Sequence, residues 1–247
     1  MRQDQQIQLG RRLLKAAQDG QTADAGEIRD NPNSRYVDVD LFAREKEAFF
    51  KNEPLVACLS VDLQEPGSFR TEKIIGIDVL LTRGDDGTAR AFLNACPHRG
   101  TQVEAEPCGK RRLFVCPFHA WSFDTTGQLV SIPKASDFGA GPDELAGLKE
   151  LPCAERFGII WIRLMEGADI DPAVQLGALA TEIESWALGD LTPVATKPLK
   201  ADINWKLAVD TFGETYHFAA LHQNTVNQFY HSNLQVYDVF GRNHRMC

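Results

Sequence analysis

The sequence has no stretch of about 18 consecutive apolar residues, the length a bilayer-spanning helix requires. Its opening, Met1-Arg2-Gln3-Asp4-Gln5-Gln6, is followed by no apolar segment of the secretory kind. A membrane span is therefore not expected, and a cytoplasmic location is. Clustered basic charge is equally scarce. With a formal net charge of −8 the chain is a poor match for nucleic acid, because phosphate binding needs grouped Lys and Arg to displace counterions. The one basic run, Lys110-Arg111-Arg112, reads as a solvated turn between strands. Cysteine is sparse too: six residues, at 58, 96, 108, 116, 153 and 247, are too few and too scattered for a secreted disulfide scaffold. No internal repeat and no low-complexity tract occurs. What remains is 43% hydrophobic and 24% charged, an ordinary globular composition over 247 residues, enough for one large domain or two smaller ones.

Periodicity divides the chain in three. Gln3 to Gln18 carries Ile7, Leu9, Leu13 and Leu14 at helical spacing and meets a glycine stop at Gly20; Asp40 is placed to cap a second helix, Leu41 to Phe50, with Phe42, Phe49 and Phe50 facing a core. From Pro54 the pattern becomes a series of short β-rich runs: Leu55 to Val61, Phe69 to Ile75, Ile77 to Leu81, Ala89 to Asn94, Leu113 to Val115, Leu129 to Ile132 and Ile159 to Leu164. Hairpin signals stand at Pro66-Gly67, Gly84-Asp85-Asp86-Gly87 and Thr126-Gly127. After Glu166-Gly167 helical patterning returns. Asp171-Pro172 opens a helix through Leu179, Ile183 and Trp186 to Gly189, Thr192 to Ile203 looks like a strand with two prolines, and Trp205 to Ala220 looks like a further helix. The expected domains are 1–44, a helical segment; 45–165, an all-β module; and 166–247, the start of a mixed domain.

Within the β-rich part, Cys96-Pro97-His98-Arg99-Gly100 is followed, with seventeen residues between His98 and Cys116, by Cys116-Pro117-Phe118-His119-Ala120-Trp121. Two loops thus present one thiolate and one imidazole each. Such a donor set suits tetrahedral zinc, or a [2Fe-2S] cluster in which two His replace two Cys on one iron. Facing loops of mixed type can give one iron both sulfurs and the other both imidazoles, whereas zinc fingers usually pair like with like. A proline after each cysteine stiffens its loop and Gly100 permits a sharp turn.

These two segments resemble the Rieske domain of the ring-hydroxylating oxygenase α subunits. The respiratory Rieske type, with an extra cysteine in each loop, is not matched. The resemblance implies that Cys96, His98, Cys116 and His119 hold a [2Fe-2S] cluster, with a potential at the low end of the roughly −150 to +300 mV that Rieske centres span. Cys58, Cys108, Cys153 and Cys247 are then structural or incidental thiols.

Downstream, Asp210, Glu214 and His217 follow one another at i, i+4, i+7, and His222 stands five residues after His217. On a regular helix those two histidines would lie about 140° apart, so joint ligation requires the helix to loosen or end between them. The segment is similar to the mononuclear iron site of the same family: an acidic residue, two spacers, His, four spacers, His. The resemblance implies that His217 and His222 ligate Fe(II) in a 2-His-1-carboxylate triad, with Glu214 and Asp210 as the acids of the catalytic machinery. The third ligand, an Asp in the family, is expected further on than Cys247. Asp238, the one later carboxylate, is a poor candidate, and the sequence is expected to break off inside the catalytic domain. One departure is Glu214 itself, where the family commonly has Asp. That acid is associated with bridging the cluster of one subunit to the iron of the next, and the change points toward branches that include oxidative demethylases. His231 and His244 match nothing and read as surface residues.

The resemblance thus implies an α+β chain: a Rieske domain followed by the opening of a helix-grip catalytic domain. It implies an oxygenase α subunit that takes electrons from an NAD(P)H-dependent reductase, directly or through a ferredoxin. With O₂ it would hydroxylate, dihydroxylate or demethylate a small organic substrate, aromatic compounds among the candidates, in a homotrimer with or without a β subunit. The readings set against it are a Rieske ferredoxin-like carrier with no oxygenase site and a zinc-binding interaction module. Residues 166–247 alone, with an unpaired sheet edge, are expected to be poorly stable and prone to aggregate.

Overall fold

In the computed structural model, which describes residues 1–24, 26–197 and 199–247, helices α1 (Gln3–Asp19), α2 (Ser34–Val37) and α3 (Val39–Glu45) open the chain, and a π-helical turn follows at Lys46–Lys51. Strands β1 (Leu55–Leu59), β2 (Ser68–Ile74), β3 (Ile77–Arg83), β4 (Ala89–Leu93), β5 (Cys108–Lys110) and β6 (Leu113–Val115) come next. They are followed by β7 (Ser122–Asp124), β8 (Leu129–Ser131), β9 (Glu150–Leu151), β10 (Cys153–Arg156) and β11 (Ile159–Ile162). Helices α4 (Pro172–Leu176), α5 (Ala180–Glu184), α6 (Trp205–Phe212) and α7 (Phe218–Leu221) lead to the hairpin β12 (Tyr237–Phe240) and β13 (Asn243–Met246). The class is α+β. Two compact units result: a β unit of Glu45–Gln175 with Ala187–Ala195, and a helical unit of Met1–Arg44, Leu176–Trp186 and Thr196–Cys247.

The β unit holds three antiparallel sheets, ordered β5-β2-β3-β4-β9, β1-β11-β10 and β6-β7-β8. Their inward residues form two apolar cores. Leu63, Val79, Leu81, Ala91, Leu151, Ile160 and Ile162 fill one, while Phe69, Leu80, Phe92, Phe114 and Phe123 fill the other together with Cys96, Cys116 and Trp121. Alternation along β3 is the reason one strand serves both: Val79 and Leu81 face one core and Leu80 the opposite one. The β7–β8 turn is organised by Asp124, whose Oδ1 accepts the N–H groups of Thr126 (2.8 Å) and Gln128 (3.0 Å). The β2–β3 turn consists of Ile75 and Gly76, both at positive φ (48° and 89°), the pattern of a tight hairpin in which a β-branched residue is uncommon.

Several expectations need correction. The cap of the second helix is Asp38, whose Oδ1 accepts the N–H of Asp40 and of Leu41, both at 2.9 Å; Asp40 is already inside the helix. Phe42 and Phe49 are exposed, and the buried residue of α3 is Glu45. Pro66-Gly67 turns no hairpin; Gly67 instead receives the Arg111 N–H (2.8 Å) and donates to Arg83 O (2.8 Å), tying the β5 end to the sheet. The basic run Lys110-Arg111-Arg112 is exposed and turns from β5 to β6 as expected, with Arg111 lying over the Phe69 ring and 3.4 Å from Glu104. The helix expected from Pro172 to Gly189 is broken where Gly177 takes φ 55°. No strand forms over the described residues of Thr192–Ile203, a stretch whose second proline, Pro198, lies outside them. The helix expected over Trp205–Ala220 stops at Phe212 and restarts as α7.

In the helical unit α1 is strapped to the final hairpin. Arg12 donates to Asp238 (2.7 Å) and to Tyr237 O (3.0 Å), and the Ala23 N–H donates to Gln235 O (2.9 Å). Arg245 engages both Asp238 and the buried Glu182.

Candidate metal centres

The Cys-x-His and Cys-x-x-His segments sit on loops closed by the same pattern of hydrogen bonds. In the first, the Cys96 N–H donates to Thr101 O and the Gly100 N–H returns to Cys96 O, both at 2.8 Å. In the second, the Cys116 N–H donates to Trp121 O (2.8 Å) and the Ala120 N–H returns to Cys116 O (2.9 Å). Each loop needs one left-handed residue to close, Gly100 at φ 73° and Ala120 at φ 57°. Glycine accepts that conformation freely, whereas alanine pays roughly 1–2 kcal/mol. The base of the first loop is pinned by buried Asn94, which accepts the N–H groups of Val103 and Glu104 and donates to Glu104 O (2.7 Å).

The loops bring like donors together. Cys96 and Cys116, 3% and 2% exposed, lie within hydrogen-bonding reach of each other, and neither is in a disulfide. The rings of His98 and His119 lie 4.7 Å apart, toward the surface. Burial pushes the Cys96 thiol up, Cys116 adds to that, and the N–H groups of His98 and Arg99 pointing at its sulfur pull the other way. Burial, then His119 and Arg99, lower His98, favouring the neutral imidazole that ligates metals. Around them stands an aromatic collar. Trp121 stacks on His98 at 4.9 Å and 6°, Phe138 meets both rings edge-on, and Phe118 stacks on His119 at 4.2 Å. Trp121 is 5% exposed, and its Nε1 has no acceptor among the described residues. Paired buried sulfurs, paired outer imidazoles and an orphaned N–H beside them fit a [2Fe-2S] cluster carried on two loops.

The second constellation lies in the helical unit. Asn204 caps α6, accepting the Lys206 N–H at 3.1 Å, and Gly213 ends it by donating to Val209 O at 2.9 Å. Asp210 therefore stays on α6 while Glu214 falls beyond it, so the two acids do not share one helical face with His217. Asp210 accepts the hydroxyl of Tyr36 at 2.5 Å, a contact that raises the tyrosine. Glu214 accepts both the N–H of His217 (3.2 Å) and the proton of its Nδ1 in a short hydrogen bond. Burial pushes Glu214 up, but those bonds outweigh it and hold the carboxyl below its usual range. His217 is the N-cap residue of α7 and His222 its C-cap residue, so a single short turn brings the two rings to 5.3 Å. With Nδ1 occupied by Glu214, the free ring nitrogen of His217 is Nε2. Two adjacent imidazoles, one oriented by a carboxylate, fit two sites on an Fe(II). Asp238 is engaged by two guanidinium groups. Among the described residues no three His, Cys, Asp or Glu converge as on a single ion.

Sequence reasoning passed over Asn94, Phe138 and Tyr36. Asn94 had a signal, a polar side chain closing a buried strand, while the partners of Phe138 and Tyr36 are remote in sequence. Cys58 and Cys153 stand apart from both sites; burial first, with Asp62 for Cys58 and Glu155 for Cys153, pushes each thiol up to about 12.

Residues 53–152 match the Rieske [2Fe-2S] domain family, and residues 188–247 the ring hydroxylating alpha subunit (catalytic domain) family. The carnitine monooxygenase oxygenase subunit of Acinetobacter baumannii is 28% identical over 211 residues, 83% of this chain and 57% of that protein. The methanesulfonate monooxygenase hydroxylase subunit alpha of Methylosulfonomonas methylovora is 32% identical over 219 residues, 78% of this chain and 50% of that protein. Among solved structures, the quaternary ammonium Rieske monooxygenase CntA with L-carnitine superposes with a TM-score of 0.74 at 28% identity, covering 81% of this chain and 57% of that one. Naphthalene 1,2-dioxygenase from a Rhodococcus species gives 0.66 at 26% identity, covering 92% and 51%. The chain spans about half the length of the relatives it matches. It belongs to the Rieske non-haem iron oxygenase α-subunit family, of which it holds the [2Fe-2S] domain and the opening of the catalytic domain.

Proposed function

We propose that this chain is the cluster-bearing and iron-binding part of an oxygenase that inserts oxygen from O₂ into a small organic substrate. The observation that carries the reading is the pairing of Cys96 with Cys116 and of His98 with His119 on two loops built alike, in a chain that also sets His217 beside His222. Cys96, Cys116, His98 and His119 would hold the cluster, and His217 and His222 two sites of the iron. When bound, these groups supply one-electron transfer and the activation of O₂, chemistry that belongs to the cofactor.

The protein's own work is orientation and exclusion of water. Glu214 keeps a proton on Nδ1 of His217 and so presents Nε2, and Phe218 packs against both His217 and His222, limiting their rotation. The core seals the sulfur side of the first site while the imidazole side stays near solvent, which suits exchange of electrons with another protein through the histidines. The domains proposed are 45–165 for the cluster and 166–247 for the iron, preceded by 1–44.

Electrons would come from an NAD(P)H-dependent reductase, with or without a ferredoxin. A homotrimer is the proposed assembly; a quaternary ammonium relative has been described with inter-subunit electron transfer. Six free cysteines suit the reducing cytoplasm. Relatives named for carnitine, glycine betaine and methanesulfonate favour a small charged substrate over an aromatic hydrocarbon, although a 2-aminobenzenesulfonate dioxygenase is also similar.

Anaerobic purification followed by iron and sulfide counts and EPR of the dithionite-reduced protein tests the proposal. Two sulfides per chain with a His-ligated cluster spectrum are expected, plus Fe(II) binding that is lost in His217→Ala while the sulfide count holds. A colourless zinc protein would sink the reading, and Fe(II) binding unchanged in His217→Ala would remove its oxygenase half.

A further inference from the structure

The indole of Trp121 is fixed more firmly than packing alone requires. Its carbonyl closes the second ligand loop on the Cys116 N–H, its ring lies parallel to His98 of the other loop, and Phe138 abuts its edge. It shares one buried core with Cys96 and Cys116. Held this way it cannot turn its Nε1 to solvent, and no atom of the described residues accepts that hydrogen. A buried donor left without an acceptor is destabilising, and a buried Trp N–H usually finds a partner. Resting on the function proposed above, we propose that the Nε1–H of Trp121 donates a hydrogen bond to a sulfur of the cluster and raises its midpoint potential.

The physical reason is charge. One-electron reduction adds a negative charge to the cluster, and a donor aimed at its sulfur binds the reduced form better than the oxidised one. Trp121 is then a tuning residue that ligates nothing. Phenylalanine at this position keeps an aromatic ring for the stack and deletes only the N–H donor.

The test is a mediated redox titration of the whole chain, wild type against Trp121→Phe, with iron, sulfide and EPR measured on both. The expected result is an intact cluster whose preference for the reduced state falls about tenfold, a drop near 59 mV for a one-electron couple. Pulsed EPR of reduced wild-type protein grown with indole-¹⁵N tryptophan gives a second readout, which stands even if the variant loses its cluster. Of the four tryptophans, only Trp121 belongs to the core that holds Cys96 and Cys116, so an indole ¹⁵N coupling is expected and has one source. An unchanged potential in a fully loaded variant, or no ¹⁵N coupling in the wild type, overturns the inference and leaves the function standing. A wild type without sulfide overturns both.

Discussion

Arg83 shows how single charges are used away from the two sites. It is 7% exposed, ends β3, and donates to Leu63 O (2.6 Å), Gly87 O (2.8 Å) and both oxygens of Glu155 on β10, joining two of the sheets. The hydrogen bond from Arg83 holds the Glu155 carboxyl below its usual range against the opposing effect of burial. A carboxyl whose pKa is lower folded than unfolded binds more protons in the unfolded chain. Its stabilisation is therefore present above the unfolded value, about 4.3, and is lost as pH falls through the folded one. Glu155→Gln, which leaves Arg83 buried without its counter-charge, should melt below wild type at pH 7, and the gap should close as the buffer is taken below pH 4. A gap of constant size across that range would mean the carboxylate's charge is not what matters.

At the scale of elements, what was legible in the sequence was local. The hairpins at Gly84–Gly87 and Thr126-Gly127 and the Cys-x-His and Cys-x-x-His loops each fit within a few consecutive residues, and those segments carried the fold class and the candidate cluster residues. Strands β5, β7, β9 and β10 escaped because, at two to four residues, they show neither an alternation nor the apolar run that marked the equally short β6, β8 and β11. The long helices expected after Pro172 and Trp205 failed at Gly177 and Gly213, glycines inside an otherwise helical pattern. The hydrogen bond from Tyr36 to Asp210 joins residues 174 apart, and no pattern in the chain announces it. Tight hairpins also carry a prediction. Gly127 sits at φ 81°, and a Cβ there would lie 2.4 Å from the ring of Phe92, which is itself buried in the core. Gly127→Ala should cost about 1–3 kcal/mol through overpacking, read as a lower denaturant midpoint with an unchanged slope. Wild-type stability in that variant would show that the turn can yield.

At the scale of the whole molecule, the two units are unequally finished. The β unit closes two apolar cores, while the helical unit leaves Phe212 at 82% and Phe229 at 80% exposure along with Tyr216, Leu221 and Val239. Regions with few buried apolar contacts open at lower free energy, so the units should not melt together. On heating, helical ellipticity at 222 nm should be lost first, and the visible absorbance of the cluster should survive until the β unit unfolds. Coincident transitions would show that the units unfold cooperatively.

The ligand loops themselves are closed by the chain's own main-chain hydrogen bonds, two to each loop, over a filled core. In a zinc finger the metal's binding energy is the folding energy, and stripping the metal denatures the protein. Loops closed by their own main chain should keep the two quantities apart: metal stripped by a chelator is expected to leave the β-sheet ellipticity in place, so that loading becomes a docking reaction on a folded receptor, and loss of that signal together with the metal would show that the cluster organises the loops.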